Sequence, residues 1–145
     1  MKLPKDLDLK LKKIRPVFER HGILAAYLFG SRADGSAHPN SDYDFGILVM
    51  PFDREKHNLA YATRLGLEME DAADLNRADV VLLNTASIMM RFEIMKRGRL
   101  IYCRDDELRT DFEDVVIRDY LDFKPFLDQY YREVREAIRE GDFFA

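Results

Sequence analysis

The sequence predicts an α/β (α+β) fold: a small sheet with helices packed mainly on one of its faces. Two observations carry that expectation. Four apolar runs of strand length, at 24–29, 43–50, 78–83 and 100–103, alternate with longer stretches whose apolar residues recur at helical spacing. In addition, 47% of the 145 residues are hydrophobic, enough to bury a core in one domain covering 1–145 with a C-terminal helical extension.

The elements follow in order. Residues 5–20 place Leu7, Leu11, Ile14 and Phe18 at near-helical spacing, and Gly22 stops that helix. Leu24 to Phe29 reads as a short buried strand. Gly30 to Ser41 is a turn-rich connection broken by Gly35, Pro39 and Asn40. Tyr43 to Met50 is a second strand, ended by Pro51. Residues 54–74 form a long helix with Leu59, Ala62, Gly66, Met69 and Ala73 on one side. Ala78 to Leu83 is a third strand. Thr85 or Ser87 caps a helix that runs through Met89, Met90, Phe92 and Met95 to Gly98. Leu100 to Cys103 is a short fourth strand, and from Asp105 to Glu140 the pattern is helical, read as two helices.

Composition narrows the function. A net charge of −4 argues against a nucleic-acid partner, because phosphate backbones demand clustered Lys and Arg. A single cysteine, Cys103, excludes a disulfide framework and suits a reducing compartment. The N-terminal stretch MKLPKDLDLKLKK has no apolar core of signal-peptide type, and no apolar run approaches the ~18 residues of a membrane span. The expectation is therefore a cytoplasmic protein.

The most informative stretch is residues 30–44, GSRADGSAHPNSDYD: a Gly-Ser pair, ten residues, then Asp-Tyr-Asp. Gly30 lets a phosphate approach the backbone, and Ser31 offers a hydroxyl and an N–H at the start of a helical turn. Arg32 either steadies phosphate or pairs with Asp34. Asp42 and Asp44 are two apart in a strand, so they project to one face, roughly 6–7 Å apart at the backbone. That spacing suits two carboxylates converging on a divalent cation. Tyr43, Phe45, Ile47 and Val49 take the opposite, core-like face, while Gly46 leaves open space on the carboxylate face. Asp79 opens the apolar run of the third strand, where a charge is costly unless paired or metal-bound. It either joins the same metal site, takes a proton from an incoming hydroxyl, or answers Arg77.

Gly30, Ser31, Asp42 and Asp44 match the pattern of the minimal nucleotidyltransferases related to DNA polymerase β, and the chain resembles the MntA-type antitoxins among them. The resemblance implies a mixed sheet and a protein adenylyltransferase using ATP and Mg2+. It implies Gly30, Ser31 and Arg32 on nucleotide, and Asp42, Asp44 and Asp79 as catalytic metal ligands. The partner it implies is a cognate HEPN-family (HepT-type) ribonuclease toxin, adenylylated on tyrosine and so silenced, in a possible hetero-oligomer. Two other readings stay open: a small-molecule nucleotidyltransferase, and a non-catalytic antitoxin acting by stoichiometric binding.

The remaining features carry less. His21, His38 and His57 have no ligand-spaced partners, although His38 lies in the motif loop. Arg91, Lys96, Arg97, Arg99 and Arg104 form a basic run that is either a solvated face or a contact. In the tail, Phe123, Leu127, Tyr130, Val134 and Ile138 recur at helical spacing, either as core or as a docking stripe.

Overall fold

The computed structural model describes residues 5–141; the N-terminal 1–4 and the last residues of the tail, 142–145, lie outside the described residues. The chain runs α1 (Lys5–Arg20), β1 (Ile23–Phe29), α2 (Ser31–Asp34), β2 (Tyr43–Val49), α3 (Leu59–Ala73), β3 (Ala78–Leu82), α4 (Ile88–Arg97), β4 (Arg99–Cys103) and α5 (Asp106–Glu140). The four strands form one mixed sheet in the order β3-β2-β1-β4. β1 is antiparallel to both β2 and β4, whereas β2 and β3 run parallel, joined by α3 as a crossover.

Strand alternation divides the sheet into two faces of different size. Ile23 and Leu28 of β1, with Tyr43, Phe45, Ile47 and Val49 of β2, meet Ile14, Val17 and Phe18 of α1 and Leu65 and Met69 of α3 in the larger core. The opposite face holds Leu24, Tyr27, Leu48 and Leu83, closed by Ile94 of α4 and by Leu108 and Phe112 at the start of α5. Most helical packing is thus on one face, as expected, and a thinner helical layer covers part of the other.

Two elements differ from the sequence reading, and a choice left open between two caps is decided. The helix expected from residue 54 begins at Leu59, because Asn58 caps it by accepting from the Tyr61 N–H at 3.0 Å, while Asp53–His57 close a turn of their own. Of the two candidate caps for α4, Ser87 holds the position, accepting from the Met90 N–H. The two expected C-terminal helices are one 35-residue helix that carries Pro125 in its interior. Beyond Tyr120 no described residue of α5 is buried: Phe126 is 70% and Tyr130 58% exposed. The aromatic stripe is therefore not part of this domain's core.

α5 is fastened to the sheet at its start. Asp105 caps it, and the buried Tyr27 hydroxyl donates to Glu113 Oε1 at 2.6 Å, an atom that also accepts from Arg109 Nη1 at 2.9 Å. Burial beside the Glu113 carboxylate pushes the Tyr27 hydroxyl far above its ordinary range, so it stays a neutral donor.

Candidate active site

The site forms where β1 ends and β2 and β3 begin. Phe29 is the register partner of Asp44 across β1 and β2, and Asp44 is the register partner of Asp79 across β2 and β3. Sheet geometry alone therefore brings Gly30, Asp44 and Asp79 together, with Asp42 one pleat upstream of Asp44. By strand alternation all three carboxylates fall on the thinner face, and the side chains of Asp42 and Asp79 are 43% and 44% exposed.

Gly30 is required twice. Its backbone (φ 72°, ψ −157°) occupies a region open essentially to glycine alone. A Cβ there would also stand 2.5 Å from Asp44 Oδ2, so the missing side chain makes room for a carboxylate, not only for an incoming phosphate. Ser31 follows as the first residue of α2, whose leading N–H groups have no acceptor within the helix. Gly46 corrects an expectation. The space beside it is filled by α4, since a Cβ at 46 would lie 2.7 Å from Ile94 Cγ2. Its role is to seat the helix that walls the site.

The charges are unbalanced. Burial, then repulsion from Asp79 and Asp42, raises the Asp44 carboxyl above its ordinary range, and Arg77 only partly offsets this. Arg77 Nε lies 3.2 Å from Asp79 Oδ1 and 3.9 Å from Asp42 Oδ2, so one guanidinium answers both outer carboxylates. With Arg77 between them, no three acidic, His or Cys side chains among the described residues stand ready to chelate an ion. The donor set nevertheless suits a hard divalent cation: three carboxylates, no nitrogen or sulfur, and one of them held toward protonation for want of positive charge. The pairing of Asp79 with Arg77 and its place beside Asp44 are thus both realised. Arg77 is the site residue that sequence reasoning undervalued; its signal was a cation two residues before Asp79, directly ahead of the strand.

Of the two expectations for Arg32, pairing with Asp34 is not realised: its guanidinium bonds to the Pro39 and Ser41 carbonyls. Its guanidinium lies 4.2 Å over the Tyr43 ring, on the opposite face of β2. Asp34 instead accepts from the Ser36 N–H and hydroxyl, which lowers its carboxyl below the usual range. His38 is exposed and lines the same cavity as Arg32 and Tyr43, away from Asp42 and Asp44. The basic run disperses: Arg91 bonds to the Leu83 and Asn84 carbonyls, Arg97 to Glu93, and Arg104 to the Gly22 and Met50 carbonyls.

Comparison with known proteins places the chain in a family. The family described as "Polymerase beta, Nucleotidyltransferase" matches residues 12–107, which include Gly30, Asp42, Asp44 and Asp79. A relative from Aphanizomenon flos-aquae (strain 2012/KM1/D3), named protein adenylyltransferase MntA, is 26% identical over 133 residues, covering 85% of each chain. Among solved structures, a toxin–antitoxin crystal structure with AMP-PNP superposes with a TM-score of 0.73 at 21% identity, covering 86% of this chain and 98% of that one. A second, of tri-AMPylated Shewanella oneidensis HEPN toxin in complex with MNT antitoxin, gives 0.63 at 16% identity, covering 90% and 97%. At those identities the structural likeness speaks for the fold. With the family match spanning most of the sequence and all of the site, the chain belongs to the polymerase beta nucleotidyltransferase family.

Proposed function

We propose that this chain is an antitoxin-type protein adenylyltransferase that moves AMP from ATP to a tyrosine of a cognate HEPN ribonuclease toxin and so neutralises it. The observation that carries the reading is the meeting of Gly30, Asp44 and Asp79 across three adjacent strands. The acceptor class is supported by the MntA relative and by the toxin–antitoxin structures of the same fold. The whole of 1–145 acts as one transferase domain with a helical extension.

In this reading Gly30 and Ser31 hold the triphosphate through the glycine-opened turn and the leading N–H groups of α2. Asp42, Asp44 and Asp79 are the residues that would hold Mg2+, whose charge would take over from Arg77 beside the outer two. The ion would neutralise the triphosphate and favour departure of pyrophosphate. Asp79, on the edge strand β3, completes that metal site or takes the proton of the tyrosine hydroxyl. The oxygen then bonds to the α-phosphorus, and the bond to the bridging oxygen of pyrophosphate breaks.

The test is intact mass. Catalytic amounts of the chain, with ATP, Mg2+ and the purified toxin, should add about 329 Da per adenylyl group to many toxin molecules, since catalysis turns over. The toxin should stay inactive after the chain is removed. No mass shift, with toxicity returning on separation, would replace this reading by stoichiometric inhibition.

A further inference from the structure

We propose that Arg32 is a positioning residue that fixes the spacing between the Gly30–Ser31 turn and the Asp42–Asp44 pair from the far side of the sheet. The inference rests on the site reading above and adds a residue that touches neither nucleotide nor carboxylate. Arg32 follows Ser31 directly, and Ser41 directly precedes Asp42. Arg32 ties those two ends together. Its Nη2 donates to the Ser41 carbonyl at 2.9 Å and to the Pro39 carbonyl at 3.3 Å, and its Nε donates to Ser41 at 3.3 Å. The connection of ten residues is thereby closed into a loop whose two ends carry the site.

The clamp has a rigid backing. Tyr43, over which the guanidinium lies, is 5% exposed and stacks on Phe45, itself fully buried, with ring planes 10° apart. Ser41 is held a second time: its N–H donates to the His38 carbonyl, and its hydroxyl accepts from the His38 N–H, both at 2.9 Å. Asn76 donates to the Asn40 carbonyl at 3.2 Å, and the Tyr43 N–H donates to the Arg77 carbonyl at 2.9 Å. The same loop is thus fastened to the segment that enters β3 and delivers Asp79. A planar fork that bonds two carbonyls while stacking on a ring is a task for arginine, and lysine cannot reproduce it.

Arg32→Lys and Arg32→Ala in the full chain separate this role from phosphate binding. Amide hydrogen exchange, measured without nucleotide or metal, should show protection at Ser41 and Tyr43 falling about tenfold or more in both variants, with the protection of β1 unchanged. ATP affinity by calorimetry should stay within about threefold of wild type. The turnover number for adenylyl transfer should fall about ten- to a hundredfold, since misplacement by about 1 Å costs that much. The opposite pattern overturns the proposal: unchanged exchange at Ser41 with ATP affinity lost in the alanine variant and retained in the lysine variant, as a charge contact to phosphate would give. The exchange arm needs no substrate, so it decides the role of Arg32 even where transfer to the toxin is absent; that absence would count against the proposed function alone.

Discussion

Along β2 the two faces of one strand do opposite work. Tyr43, Phe45, Ile47 and Val49 are each at most 5% exposed and sit in the larger core, while Asp44 between them is only part-buried, carries a charge and lacks a matching cation. The odd-numbered residues contribute stability, and the even-numbered end contributes a strained electrostatic arrangement. The difference teaches that this site is built at a cost to the fold, and that its position is set by the dry face behind it.

Adjacent substitutions sharpen that contrast most. Phe45→Ala should lower stability by ~3–5 kcal/mol, read as a drop in denaturant midpoint, because it opens a cavity in the larger core. Asp44→Asn should leave the melting temperature at neutral pH equal or higher, yet reduce transfer at least about a hundredfold in a steady-state assay. The sign follows from the raised carboxyl. A group whose pKa rises on folding contributes stability below the ordinary carboxylate range and loses it as pH climbs through the raised value. Replacing that carboxylate therefore removes a neutral-pH penalty.

Gly46 connects the two faces. Gly46→Ala should cost ~1–3 kcal/mol by pushing Ile94 off the sheet, and that cost should shrink when it is introduced into an Ile94→Ala background, which lacks the clashing Cγ2, both read from chemical denaturation. A smaller effect concerns Arg77. Since its charge lowers the Asp44 carboxyl while burial and its neighbours raise it, Arg77→Gln should move the acid limb of the pH–rate profile to higher pH. The smallest effect is expected on α5: Tyr130→Asp should leave the melting temperature unchanged, because Tyr130 is 58% exposed and outside the core.

What was legible in the sequence was whatever depended on strand period. Alternation assigned Asp44 and Phe45 to opposite faces, and the spacing from Gly30 to Asp42 placed the site. Strand partners were not legible. That Asp79 sits in register with Asp44 needs the parallel pairing of β2 and β3, which is tertiary information. The same limit explains Gly46, read as open space although the helix that fills it is distant in sequence. For Arg32 the sequence left phosphate and Asp34 open; its bonds to the Pro39 and Ser41 carbonyls and its place over Tyr43 depend on how the loop closes, which spacing does not show. The unbroken α5 defeated a local rule, since Pro125 ordinarily ends a helix yet here lies within one. The aromatic stripe could not be sorted by periodicity, because a stripe facing a partner and one facing a core look alike.

The central claim is that nucleotide and cation meet at the carboxylate end of the thinner sheet face. Paramagnetic broadening of backbone amide signals by Mn2+ with a non-hydrolysable ATP analogue tests it without requiring the toxin. The account predicts selective loss of signals from Gly30 to Arg32, from Asp42 to Asp44 and around Asp79, with α1 untouched and the pattern abolished by Asp44→Asn. Broadening centred elsewhere, or unchanged by Asp44→Asn, would contradict it.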